Sequence, residues 1–204
     1  MFVPNNFRFE DRAEKITFIK QYSFATIITV KDSIPIATQL PFVIDDSSDK
    51  LILNSHFAVA NEQTKYIEAN TSLVIFTEPH AYISPVHYDK HESVPTWDYI
   101  AVHAYGKAKI VEDETAKLKS LEQMIQFYEK DYLQQWESLS DNFKKRMMKG
   151  IVAFELEVND LQGQKKLSQN KTENERKRIV EHLEKSVNTG EREIAAYIRN
   201  LKSF

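Results

Sequence analysis

Four of the chain's six histidines fall in one stretch, HAYISPVHYDKHESVPTWDYIAVH at residues 80–103, together with Tyr82, Tyr88, Trp97 and Tyr99. Such a density of imidazole and aromatic groups raises three chemistries: metal ligation, nucleophilic catalysis, and the wall of a pocket for a flat ligand. His87 and His91 are four apart, a spacing that shares a face only on a helix. Pro85 and Pro95 bracket them, however, and no Glu follows His87 as a zincin motif requires. A catalytic zinc also needs a third protein ligand and an open position, so the residues predict no metal site. Ser84, His87 and Asp89 have the side chains of a hydrolase triad. Residues so close in a loop rarely reach that geometry, and there is no G-x-S-x-G turn. What remains is a run of aromatic faces alternating with hydroxyl and imidazole groups. It suits a heteroaromatic ligand held by stacking and a few edge hydrogen bonds. Ordinary packing, with Tyr82, Trp97 and Tyr99 in a core or interface, fits the same pattern, and the residues alone leave both readings open.

Composition narrows the classes. The 204 residues are 42% hydrophobic and 28% charged, no window approaches eighteen apolar residues, and a single soluble domain of residues 1–204 is expected, with no membrane span. The N-terminus MFVPNNFRFEDR has no basic segment leading into an apolar run, which predicts a cytoplasmic protein. The absence of cysteine removes disulfides, thiolate catalysis and Cys-type metal sites, so redox chemistry would need a bound cofactor. A net charge of -3 argues against coating nucleic acid by bulk electrostatics. The four glycines, at 106, 150, 163 and 190, build neither G-x-G-x-x-G nor a Walker loop, which rules out Rossmann and P-loop proteins.

The elements that must position these side chains read as follows. Residues 11–22 form a short amphipathic helix, opened by Asp11 and Glu14 at capping-box spacing. FATIITV (24–30) and IPIATQLPFVI (34–44) flank Lys31-Asp32-Ser33 as a hairpin. LILNS (51–55) and SLVIFTE (72–78) are strands with a helical segment at about 58–69 between them, and residues 99–111 form a longer strand. A helix opens at Asp113, GIVAFELEV (150–158) returns to strand, and a pair of helices closes the chain at about 172–204, its first member started by Thr172 and Glu175. Six or seven strands without βαβ alternation predict an antiparallel, Greek-key-like barrel of the α+β class with inserted and C-terminal helices.

FATIITV, ATQLPF (37–42), SHFAVAN (55–61), IFTEPHAYISPVHY (75–88), VPTWDYIAVHAYG (94–106) and KLSQN (166–170) together resemble one family, the PaiB-like, FMN-binding negative transcriptional regulators with the FMN-binding split β-barrel. The resemblance implies a homodimer with FMN between subunits. By match to the family's motifs it places Thr38, Gln39, His56 and Asn61 near the flavin. Lys166, Ser168, Gln169 and Asn170 form a second donor cluster, the lysine facing the phosphate, and Tyr82, Ser84, Trp97 and Tyr99 complete the wall. The chain departs from the family at Val59 (usually Arg), Glu62 (Pro), Val86-His87 (Ser-Trp) and Asp98 (Asn). The first departure removes a fork of donors and the last adds a carboxylate, so both bear on whether FMN is held weakly or lost.

Three outputs fit such a chain. One is a repressor, whose DNA reader would be the C-terminal helix pair joined by Asn188-Thr189-Gly190. Glu191 and Glu193 at the start of its second helix oppose direct base reading. The second is a flavin-dependent oxidoreductase using a nicotinamide nucleotide or small acceptor, and the third an interaction module with or without flavin.

Overall fold

Asp32 and Ser33 both adopt left-handed backbone, with φ of 49° and 65°. Two consecutive positive φ values turn the chain with the twist that a two-residue hairpin demands, although neither residue is glycine. They join β1 (Phe24–Lys31) to β2 (Ile34–Pro41), paired antiparallel from Phe24 with Pro41 to Lys31 with Ile34. The molecule is a computed structural model that describes residues 1–201, and it divides into two compact units.

The first unit comprises Arg12–Phe76 and His103–Leu161. Besides β1 and β2 it holds β3 (Val43–Asp45), β4 (Ile52–Ala58) and β5 (Thr71–Phe76), with parts of β7 (Thr96–Ile110) and β8 (Ile151–Lys166), in the order β2-β1-β5-β7-β8-β4-β3. Alternation along β1 buries Ala25 and Ile27 and along β4 buries Leu53 and Phe57, as a sheet with one covered face requires. Phe42, Phe76, Phe57 and Phe154 meet there, with Phe57 and Phe154 stacked at 4.9 Å and Phe42 edge-on to Phe76 at 5.9 Å. Helix α1 (Arg12–Gln21) buries Ile16, Phe18 and Ile19. Asp113 caps α2 (Glu114–Tyr128) by accepting from the Ala116 amide, as its position in the sequence predicts. Two short helices, α3 (Tyr132–Ser138) and α4 (Asp141–Met148), follow and bury Trp136 and Met148. The helix predicted at 58–69 is instead one turn of 3-10 helix at Glu62–Lys65 among turns. Asn61 caps that turn, and Gln63 within it is drawn toward the sheet by hydrogen bonds that outweigh helical propensity.

The second unit comprises Met1–Asp11, Thr77–Val102 and the chain from Gln162 onward. A short strand absent from the sequence reading, β6 (His80–Ile83), pairs antiparallel with β7 and sets Tyr82 opposite Trp97, Ala81 opposite Asp98 and His80 opposite Tyr99. With it the strands number eight among the described residues. The capping box of Thr172 and Glu175 is formed at the start of α5 (Glu173–Leu183), and Asn188 caps α6 (Thr189–Arg199). Ile179 and Leu183 of α5 and Ile194, Ala195 and Ile198 of α6 are buried. Residues 202–204 of the predicted helix pair lie outside the described residues. Antiparallel strands with inserted and C-terminal helices give the α+β class that the sequence predicts.

Candidate functional site

The predicted site residues fall in both units, and each group has its own logic. In the first unit Thr38 of β2 and Asn61 meet directly. Asn61 Nδ2 donates to Thr38 Oγ1 at 2.9 Å, and Thr38 Oγ1 donates to Gln63 Oε1 at 2.8 Å. Gln63, 1% exposed, donates through Nε2 to the Ile27 carbonyl at 3.2 Å and to Thr29 Oγ1 at 3.0 Å, while Thr29 and Ser72 hydroxyls share a 2.8 Å bond. Asn61 Oδ1 also accepts from the Gln63 amide. Thr38 and Asn61 are thus engaged with each other and with Gln63.

Gln39 is exposed and His56 partly so, and among the described residues neither side chain has a hydrogen-bond partner. Burial holds the His56 imidazole below its ordinary pKa, so at neutral pH it offers one donor and one acceptor. Gln63 was missed by the sequence reading, and only its place two residues after Asn61, at Asx-turn spacing, could have marked it. Replacing Gln63 by leucine removes the acceptor of the Thr38 hydroxyl and the donor to the Ile27 carbonyl and Thr29 Oγ1. The expected cost is about 2–3 kcal/mol, read as a lower urea midpoint at unchanged m.

In the second unit β-strand alternation separates two kinds of chemistry. Trp97 and Tyr99 take one face of β7 with Tyr82 and His80 across from them. Tyr82 and Trp97 rings meet edge to face at 5.7 Å, His80 lies 5.8 Å from Trp97, and Tyr82 and Trp97 are 46% and 53% exposed. This is an open aromatic surface, with Tyr99 partly buried beside it. Ser84 accepts from the Val86 amide and caps a 3-10 turn at Pro85–His87, which places His87 4.8 Å from His182 of α5.

On the opposite face Asp98 is fully buried, and its Oδ2 accepts from Ser168 Oγ at 2.6 Å. Ser168 has a φ of 57°, a left-handed conformation uncommon for serine that the hydrogen bond to Asp98 helps to hold. Burial pushes the Asp98 carboxyl up to about 6, against the opposing pull of Ser168, Lys166 and Lys171. Asp98 Oδ1 and the Tyr88 hydroxyl are buried with no hydrogen-bond partner among the described residues. Lys166 Nζ donates to Thr96 Oγ1 and to the Trp97 carbonyl, and Lys171 Nζ sits 3.5 Å from the centre of the Tyr88 ring. Gln169 is turned inward, accepting from the Leu167 amide and donating to the Lys165 carbonyl, both at 2.7 Å, while Asn170 is exposed. KLSQN is therefore a self-braced loop whose outward polar groups are Lys166 and Asn170. A concavity of about 650 Å³ elsewhere in this unit, lined by Arg176, Val180, Glu184, Ile198 and Arg199 among others, holds none of the predicted site residues.

An open aromatic surface on a strand whose backbone is gripped by a half-exposed lysine fits the two ends of FMN, an isoalloxazine ring and a phosphate. Residues 1–160 match the family described as "Putative FMN-binding domain". The chain is 39% identical over 199 residues, 96% of itself and 95% of the other protein, to "Protease synthase and sporulation protein PAI 2" of Bacillus subtilis. Among solved structures it resembles a "putative 5-nitroimidazole antibiotic resistance protein" of Bacteroides thetaiotaomicron (TM-score 0.59, 18% identity, 77% of this chain and 85% of that one). It also resembles the flavocytochrome Anf3 of Azotobacter vinelandii (TM-score 0.61, 12% identity, 76% and 67%). At those identities the structural likenesses speak for the fold alone. Match and identity over nearly the whole length agree with the motifs: the chain belongs to the PaiB-like family of FMN-binding split-barrel proteins.

Proposed function

We propose that the chain binds one FMN per subunit as a cytoplasmic homodimer and acts as a flavin-holding regulator. The observation that carries this reading is the pairing, within one unit, of the exposed Tyr82 and Trp97 rings with the Lys166 ammonium on the Trp97 carbonyl. Stacking supplies affinity sequence-independently of the ring's edge groups, and a half-exposed lysine supplies the counter-charge a phosphate needs. Gln39 and the neutral His56 are the groups of the first unit suited to flavin edge atoms, and Thr38 and Asn61 serve there by bracing the Gln63 turn. Exposed aromatic rings also favour coverage by a second copy, and a cysteine-free chain suits a reducing compartment. Bound flavin would supply electron-transfer chemistry; the protein's part is to hold and orient it.

For regulation we propose an indirect route, because α6 is a poor DNA reader. Glu191 lies in its first turn, and the Arg192 guanidinium is tied to the Ser186 carbonyl at 2.7 Å and to Thr189 Oγ1 at 3.1 Å. Salt-sensitive binding to a specific promoter would contradict this part. The test of the flavin assignment is a fluorescence titration with FMN and riboflavin. Lys166→Ala should weaken FMN about tenfold and leave riboflavin unchanged, and Trp97→Ala should weaken both about tenfold. Equal weakening of both flavins by Lys166→Ala would move the phosphate elsewhere. Reduction of the bound flavin by NADH or NADPH would add an oxidoreductase activity.

A further inference from the structure

We propose that Asp98 is a built-in counter-charge for the KLSQN segment, so that a phosphate-type anion binding there competes with the Asp98 carboxylate and promotes uptake of a proton by it. The proposal deepens the flavin reading and rests on its assignment of the anion to Lys166. A carboxyl side chain with no exposed surface sits on the inward face of β7, directly behind the strand segment whose outward face carries Trp97. Buried charges are retained where partners satisfy them, and here only one oxygen is satisfied, by Ser168.

The groups that face Asp98 come from three elements. Lys166 at the end of β8 and Lys171 after it are the cations, Ser168 between them is the donor, and Tyr88 from the loop after β6 is neutral, with its hydroxyl unpaired. Glu175 of α5 also acts on Tyr88 and Lys171, but its oxygens are held by the Asp89 and Thr172 amides, which keep it ionised. His87 and His182 lie against each other, and Arg178 holds the His87 carbonyl. Of these groups only Asp98 combines full burial, a half-satisfied carboxylate and two facing ammonium groups. Lys166 and Lys171 are both partly exposed, so an external anion can reach the charges that Asp98 neutralises from within.

The two anions share the same cations, and each lowers the other's gain from them. A bound phosphate therefore raises the proton affinity of Asp98, and protonating Asp98 raises the affinity for phosphate by the same factor. Burial already places the carboxyl near 6, where a small change in facing charge alters its protonation at neutral pH. The consequence is an anion site whose affinity climbs as pH falls through about 6.

The experiment compares wild type with Asp98→Asn, whose amide oxygen keeps the acceptor for Ser168, using two probes between pH 5 and 8. One is FMN. The other is inorganic sulfate, whose charge is constant over that range, followed through amide shifts of residues 165–171. The ratio of wild-type to variant dissociation constants should be about five- to tenfold at pH 7.5 and fall to about one at pH 5. Ser168→Ala, which removes the donor that favours the carboxylate, should move the midpoint of that change to higher pH. In a Lys166→Gln background the effect of Asp98→Asn should shrink. A ratio near one at pH 7.5, or one that does not change with pH, overturns the inference even if FMN binds tightly. FMN failing at every pH while sulfate shows the expected ratio would overturn the flavin reading and leave the counter-charge standing. Neither probe binding would overturn both.

Discussion

Gly106→Ala is expected to destabilise the protein by about 3 kcal/mol or more, lowering the melting temperature by roughly 6–12 °C for a chain of this size. Gly106 lies on β7 where β8 passes so closely that an added Cβ would stand 2.2 Å from the Glu157 carbonyl oxygen, 2.9 Å from its carbon and 2.5 Å from Leu156 Cδ2. The leucine tip could swing away. The Glu157 backbone cannot, because it is fixed in the ladder opposite Ile52 of β4. The methyl group must therefore spread two central strands, with loss of hydrogen bonds along both. Gly150→Ala is the control, since its nearest contact is the Met147 carbonyl at 3.3 Å, and a change under about 1 kcal/mol is expected there. Thermal unfolding of both variants checks the pair; equal behaviour would contradict the close approach of β7 and β8.

The second large effect is a stabilisation that depends on pH. Asp98→Asn removes a carboxyl whose folded-state pKa is raised from 3.8 to about 6. An acid raised in this way contributes its full share of stability below the unfolded value, where both states are protonated. It loses that share as pH rises through the folded value, because the unfolded chain ionises more readily. The variant should thus match wild type near pH 3.5, gain across pH 4–6, and exceed it by about 2–3 kcal/mol at pH 7–8. Chemical denaturation at pH 4, 6 and 8 reads the difference directly. A constant difference at all three would mean that the substitution acts through packing and that the carboxyl titrates alike in the folded and unfolded chain.

These two residues mark what the sequence made legible. Gly106 ends the VHAYG stretch that helped to carry the family resemblance, and a glycine in a strand already signals a close approach. Asp98 could be seen as a departure, but not as a buried group. Its side falls to β7 alternation, and the phase of that alternation is set by pairing with β6, a four-residue strand between Pro79 and Pro85 too short to declare itself. The hairpin at Asp32-Ser33, the Asp113 cap and the Thr172–Glu175 box were readable because each is local chemistry in adjacent residues. Gln63 was not, since its partners at Ile27, Thr29 and Thr38 lie 25 to 36 residues away and only folding brings them to it. The same distinction holds at the site. The motifs singled out Thr38, Asn61, Ser168 and Gln169 as donors toward a flavin, and in the structure these side chains hold their own loops in place.

The most direct measurement is equilibrium dialysis of FMN against the purified, metal-free protein at pH 7.5 and again at pH 5.5, with subunit stoichiometry determined by flavin absorbance. Saturation at one FMN per chain at both pH values is the expected result. No saturable uptake at either pH up to tens of micromolar would contradict the flavin assignment.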